Sequence, residues 1–219
     1  MLKNLSPLSW ALLMLLVFLS RAEASDNLRT AAVPALAVLS DGKTGVVHYI
    51  VIQISTDPQS DGPVIQFSEI NFGGGSLVGD DWKAGVKQAV LTALRHLGEN
   101  GRDWVITIKN RSYNSMTDGM SASGAVAVGI MAAWRGEPVR PEVAMTGQIA
   151  PDGTIIAVGS IPQKVEAAAR EHFKKVLVPR GQLQIAEWDL ATLAATRHIT
   201  VVEVNTLEEA YQTMAGAQR

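Results

Sequence analysis

From Gly45 to Ser55 the chain runs Val-Val-His-Tyr-Ile-Val-Ile-Gln-Ile-Ser between its ends, rich in β-branched residues with few polar interruptions. That pattern predicts a largely buried strand. Asp57 to Pro63 carries turn chemistry, Val64 to Ile70 reads as a second strand, and Gly73-Gly74-Gly75 as a flexible loop. The period changes after Asp80. Trp82, Val86, Val90, Leu94 and Leu97 recur at helical spacing, with Asp80 as the expected N-cap and Gly98 as the stop. Trp104 to Ile108 is a strand leading into a loop over Asn110–Met120. The small-residue stretch Ala122 to Trp134, ended by Gly136, predicts a helix that approaches its neighbours closely.

The second half alternates. Val143–Thr146 and Thr154–Val158 read as short strands around the turn Pro151-Asp152-Gly153. Ile161–His172 follows as a helix, Val176–Val178 as a strand, Ile185–Ala195 as a helix and Ile199–Val204 as a strand. Thr206-Leu207-Glu208-Glu209 is a capping box opening a last helix through about Met214. The fold class expected is mixed α/β, one compact domain over 45–216. Residues 25–44, with Pro34 and the turn Asp41-Gly42, read as an extended or poorly ordered lead-in.

The first residues follow another logic. Lys3 supplies a positive start, Leu8 to Leu19 an apolar run broken by Ser9, and Ala22-Glu23-Ala24 a signal-peptidase site. The expectation is a signal peptide over 1–24 and export to the periplasm or the medium. A retained segment would instead anchor the chain to the membrane.

Composition narrows the chemistry. The 219 residues carry a formal net charge of −2 with no basic run, which argues against a nucleic-acid partner. There is no cysteine, so disulfides, thiolate catalysis and Cys-ligated zinc are excluded. His48, His96, His172 and His198 are scattered without metal-ligand spacing, and no cofactor is expected.

Two residues stand out. Ser121 lies in Asp118-Gly119-Met120-Ser121-Ala122-Ser123-Gly124, where a glycine-bearing loop meets a helix start. Free backbone N–H groups and the helix dipole favour developing negative charge at such a place. Ser121 also suits a plain N-cap. Lys164 falls with Ile161, Val165 and Ala168 on the apolar stripe of its helix. A lysine turned inward loses hydration, which lowers its pKa toward the range of a general base. Snorkelling to solvent is the alternative. The G-x-S-x-G and S-x-x-K serine signatures do not fit around Ser121. Gly42-Lys43-Thr44 lacks the first glycine of a phosphate-binding loop, so no nucleotide site is expected.

Lys164 stands 43 positions after Ser121 (164 − 121), and between them runs Gly136-Glu137-Pro138-Val139-Arg140-Pro141-Glu142-Val143-Ala144-Met145-Thr146-Gly147. Motif and spacing together resemble the proteolytic domain of Lon proteases, where a lysine activates the serine. Gly75-Ser76-Leu77 and Lys174-Lys175-Val176-Leu177-Val178-Pro179 resemble further elements of that domain, and the likeness covers roughly Gly45 to Ala215. Met120 and Ser123 depart from the usual proline and glycine beside the serine, Gln148 from a glutamate and Pro162 from a lysine.

The resemblance implies peptide-bond hydrolysis through an acyl-enzyme, with Ser121 as nucleophile and Lys164 as base. Thr146 would orient the lysine, and Asp118, Gly119 and Met120 would shape the catalytic loop. It implies a peptide or unfolded-protein substrate and a homo-oligomeric ring. With no ATPase segment in these residues, the expectation is activity without ATP. Two other readings stay open: a non-catalytic peptide-binding or assembly module, and a protease that trims only its own precursor.

Overall fold

The computed structural model describes residues 28–68, 77–111 and 116–216. The expected signal peptide and the Gly73–Gly75 loop lie outside the described residues. The first strand is a finding of the structure. β1 (Arg29–Val38) is paired along its full length, antiparallel, with β2 (Gly45–Thr56), from Arg29↔Ile54 to Val38↔Gly45. On its other side Ala35 pairs in parallel with Met145 of β7 (Val143–Met145). Most of the expected lead-in is therefore extended, as its sequence implied, but it is an interior strand and not poorly ordered. Its alanines carry little strand propensity of their own, and pairing on both sides overrides that weakness.

The other members of the main sheet are β3 (Val64–Phe67), β5 (Trp104–Arg111), β10 (Lys175–Pro179) and β13 (Thr200–Val204). The order is β13-β10-β7-β1-β2-β5-β3. From β13 to β1 the neighbours are parallel, β2 is antiparallel to both neighbours, and β3 is parallel to β5. Small pairs complete the strands. β4 (Leu77–Val78) lies beside β6 (Met116–Thr117), β8 (Gln148–Ile149) beside β9 (Ile155–Ile156), and β11 (Gln184–Ile185) beside β12 (Trp188–Asp189).

Helices cover both faces. On one lie α1 (Asp80–Leu97), α2 (Ser123–Arg135) and, late in the chain, α5 (Leu207–Met214), packed on Val33, Ile50, Ile52, Ile54, Ile106 and Ile108. On the other lie α3 (Ile161–Arg170) and α4 (Leu190–Arg197), around Leu36, Val47, Ala144, Val176 and Val178. Adjacent positions of β1 thus feed different cores, as the two-residue strand period requires. Each fully buried isoleucine contributes roughly 1.5–3 kcal/mol.

Residues Ser123 to Ala133 of α2 are all buried. Their small side chains let the helix sit directly on the sheet. A Cβ at Gly129 would stand 2.3 Å from Ile52 Cδ1. This is the close approach that the run of Ala and Gly implied.

Several boundaries move for identifiable reasons. Asp80 is the first residue of α1 and not its cap; Gly79 holds the cap position without a side-chain bond. The expected helix from Ile185 starts at Leu190, because Gln184–Asp189 forms a tight hairpin and Asp189 accepts the Ala191 and Thr192 N–H groups. α3 ends at Arg170, two residues before His172 enters the left-handed region at φ 64°. The capping box at α5 forms with a shift. Thr206 accepts the Glu209 N–H at 3.2 Å, but the Glu209 carboxylate reaches back to the N–H of Asn205, one residue earlier than expected. Arg140, within the Val-Arg-Pro segment, donates to the carbonyls of Gln212, Thr213 and Gly216 and so closes the end of α5.

Candidate active site

At the carboxyl ends of β1 and β7 the sheet opens into a cleft of about 380 Å³. The carboxyl edge of parallel strands is where open α/β sheets place ligands. Val38, His48, Asp118, Ser121, Ser160 and Lys164 are among its lining residues. Two residues 43 positions apart in sequence therefore face one space.

Ser121 sits in the middle of a 3-10 turn, Met120–Ala122, that precedes α2. Gly119 enters the turn at φ 92°, ψ 152°, a conformation open to glycine and strained for any side chain. The Ser121 hydroxyl caps nothing: neither the turn nor α2 has a side-chain cap bond. The N-cap alternative is thereby removed. Two N–H groups at the helix start are also engaged, Ser123 N–H with Met120 O and Gly124 N–H with Gly147 O at 3.0 Å. These two are unavailable to an oxyanion.

The turn is tied to the strand end beside it. Gly147 N–H donates to Ser121 O at 2.8 Å, and the Ser123 hydroxyl donates to Met120 O while accepting the Ile149 N–H at 2.9 Å. A glycine is needed at 124. A Cβ there would meet Met145 Cε at 2.7 Å and Gly147 O at 2.9 Å. Ser123, a departure from the expected motif, is therefore a structural bridge between turn and strand.

Lys164 lies on the first turn of α3. The helix begins after Ser160, a non-glycine residue at φ 58°, and Lys164 N–H bonds to Ser160 O at 3.3 Å. The Val158 backbone just ahead is held by Gln182, whose carboxamide accepts the Val158 N–H at 2.9 Å and donates to its carbonyl at 2.8 Å. Nothing in the sequence reading singled out Gln182; a side chain standing in for a strand partner leaves no periodic signal. Lys164 is only 4% exposed, so the snorkelling alternative does not hold. Burial pushes its pKa down to about 8. Its Nζ donates to Thr146 Oγ1 at 3.1 Å, and Thr146 Oγ1 makes a long contact with Ser121 O at 3.5 Å. The structure thus brings Ser121, Thr146 and Lys164 together; the direct hydrogen bonds of the described residues connect lysine to threonine and not to the serine hydroxyl.

Asp118 takes a position the sequence did not disclose. Its Oδ1 accepts the backbone N–H of Trp82 at 3.1 Å, so it caps α1 from across the fold. A Cβ at Gly79 would collide with that carboxylate at 2.3 Å. His48 was also passed over in sequence. It lies on β2, 3% exposed, with its pKa pushed down to about 4 by burial and its Nε2 sealed without a hydrogen-bond partner. Among the described residues no group of three His, Asp or Glu side chains is placed to hold a metal ion.

A sheet covered by helices on both faces thus carries a half-buried serine and a desolvated lysine on one cleft. Residues 106–214 match the Lon protease (S16) C-terminal proteolytic domain. The Archaeal Lon protease of Methanocaldococcus jannaschii is 28% identical over 191 residues, 84% of this chain and 27% of that protein. Lon protease 2 of Bacillus subtilis is 34% identical over 125 residues, 57% of this chain and 21% of that protein. The Archaeal Lon protease of Archaeoglobus fulgidus is 34% identical over 92 residues, 42% and 15%. The chain belongs to the Lon protease family through its proteolytic domain, and it spans about a quarter or less of the length of these relatives.

Proposed function

We propose that this chain is a serine endopeptidase that cleaves peptides and unfolded or flexible protein segments through a Ser121–Lys164 dyad, without ATP. One observation carries the reading: a lysine nearly sealed from water, bonded to Thr146, on the cleft that Ser121 lines. A pKa of about 8 leaves an appreciable neutral fraction near neutrality, which is what a general base needs.

The steps use only these groups. The Ser121 hydroxyl attacks the scissile carbonyl carbon as its proton passes to Lys164 Nζ. The tetrahedral species collapses, the peptide C–N bond breaks, and the leaving amine takes the proton from Lys164. Water then attacks the ester, giving a proton to the Lys164 amine; the Ser121–acyl bond breaks to release the acid, and Lys164 returns that proton to the Ser121 oxygen. Productive attack brings Nζ and the Ser121 hydroxyl into hydrogen-bond contact, with Thr146 keeping the amine turned toward the serine. No step consumes or needs a nucleotide.

Export is part of the proposal, from the pattern of Lys3, the Leu8–Leu19 run and Ala22-Glu23-Ala24. Assembly into a homo-oligomeric ring is proposed on family membership. The absence of a lysine–serine hydrogen bond among the described residues favours one competing reading, a peptide-binding module without turnover.

The deciding experiment measures hydrolysis of an unfolded, fluorescently labelled protein without ATP, beside Ser121→Ala and Lys164→Ala. Turnover by the wild type that both substitutions abolish is the expected result. Equal signals from all three, or stimulation by added ATP, would count against the dyad or against nucleotide independence.

A further inference from the structure

His48 is a buried titratable group that the reaction above does not use. It sits on β2 opposite Ala35 of β1 and is one of the residues lining the cleft that Ser121 and Lys164 also line. It is 3% exposed, and its Nε2 is covered yet bonded to no protein group. Buried polar groups in folded proteins almost always find partners, and exceptions are expected at functional or strained sites. A polar ring at this strand position leaves an unfilled hydrogen bond at a residue of the cleft that Ser121 lines, where an apolar side chain would leave none.

We propose that His48 is a specificity-determining residue: its imidazole takes a hydrogen bond from or to an uncharged polar side chain (serine, threonine, asparagine or glutamine) of the peptide residue next to the scissile bond. This rests on the peptidase reading above. Nε2 is covered in this conformer, and a half-turn of the ring about Cβ–Cγ, which exchanges its nitrogens with its carbons, is the movement the proposal requires. The partner is uncharged for two reasons. Burial holds the ring neutral near pH 7, so it offers no cation to a carboxylate. Asp118 on the same cleft repels a substrate carboxylate, and Lys164 repels a substrate cation whenever it is protonated. A site that hydrogen-bonds its substrate discriminates strongly against analogues without the group, because its own polar atom is then left unpaired.

The test has two arms. The first compares kcat/KM for matched peptide pairs, Ser against Ala and Asn against Leu beside the cleaved bond, in wild type, His48→Leu and His48→Gln. The polar-over-apolar ratio should fall at least tenfold in His48→Leu and return in part in His48→Gln. Using a ratio cancels any uniform loss from altered packing. An unchanged ratio, or a uniform loss for all peptides, overturns the proposal.

The second arm needs no hydrolysis. In Ser121→Ala, the imidazole nitrogen resonances missing from His48→Leu spectra are followed as the same peptides are added. Shifts with Ser and Asn peptides but not with Ala and Leu peptides are expected. Binding without that distinction sinks the side-chain assignment alone. Binding with the distinction but no turnover by the wild type would sink the peptidase reading while leaving the recognition intact.

Discussion

Lys164 Nζ donates to Thr146 Oγ1 at 3.1 Å, both groups buried, so the amine is oriented by a hydroxyl from a different element before any substrate arrives. Thr146→Val removes the oxygen and keeps the shape. Peptide hydrolysis should fall about 10- to 100-fold, chiefly in kcat, because misplacement of a catalytic group by about an ångström carries penalties of that size. Thr146→Ser should restore most of it. A Thr146→Val enzyme with unchanged kcat would remove Thr146 from the mechanism.

The pH dependence follows from the lysine. Below pH 8 its amine is increasingly protonated and cannot accept the Ser121 proton. Peptidase activity should therefore rise between pH 6 and 9 along a single ionisation near 8, and flatten above it. A rate profile that is flat across this range, with substrate saturating, would contradict the assignment of the base.

Holding that lysine costs stability. Its pKa falls from 10.5 in the unfolded chain to about 8 in the fold, so between these values the unfolded state binds more protons and stability rises with pH. Below pH 8 the fold carries the whole penalty, roughly 3 kcal/mol on the scale of 1.36 per unit. Lys164→Met should be more stable than the wild type at pH 7, by about 1–3 kcal/mol, with the advantage shrinking toward pH 10. Denaturant titrations at pH 7 and 10 check both the sign and the trend.

Asp118 reaches Trp82 N–H across 36 residues of sequence. Asp118→Ala removes the side-chain cap of α1 and should cost about 0.5–2 kcal/mol. Asp118→Asn keeps an acceptor oxygen and should lose much less. Equal losses in the two variants, measured by thermal unfolding, would show that the carboxylate charge and not the hydrogen bond matters.

Gly124→Ala would push a methyl into Gly147 O and Met145 Cε. Overpacking of this kind costs about 1–3 kcal/mol. Since Gly147 N–H also fixes Ser121 O, activity should fall about 100-fold or more, beyond what partial unfolding explains. Full activity in a folded Gly124→Ala protein would mean that the tie to Gly147 does not position the nucleophile.

Much of this was legible in sequence where the signal is local and periodic. Trp82, Val86, Val90 and Leu94 marked α1, and the Ala–Gly run marked α2 and its tight seat on the sheet. What escaped is set by tertiary partners. The cap of α1 is Asp118, far along the chain; β1 is a strand because β2 and β7 flank it; the start of α4 is decided by a hairpin. Within the candidate site, the grouping of Ser121, Thr146 and Lys164 was legible from motif and spacing, whereas the places of His48 and Gln182 were not. One looks in sequence like an interruption in an apolar strand, and the other like an ordinary loop residue.

The place of β1 has a consequence for when the protein acquires its chemistry. Its parallel neighbour at Ala35 is Met145, 110 positions later (145 − 35), and Thr146 and Lys164 are made later still. Contacts of such span close late in folding. A nascent or half-folded chain has the serine but neither the oriented amine nor a closed wall around it. On the proposed mechanism a chain therefore hydrolyses nothing until its own sheet is complete.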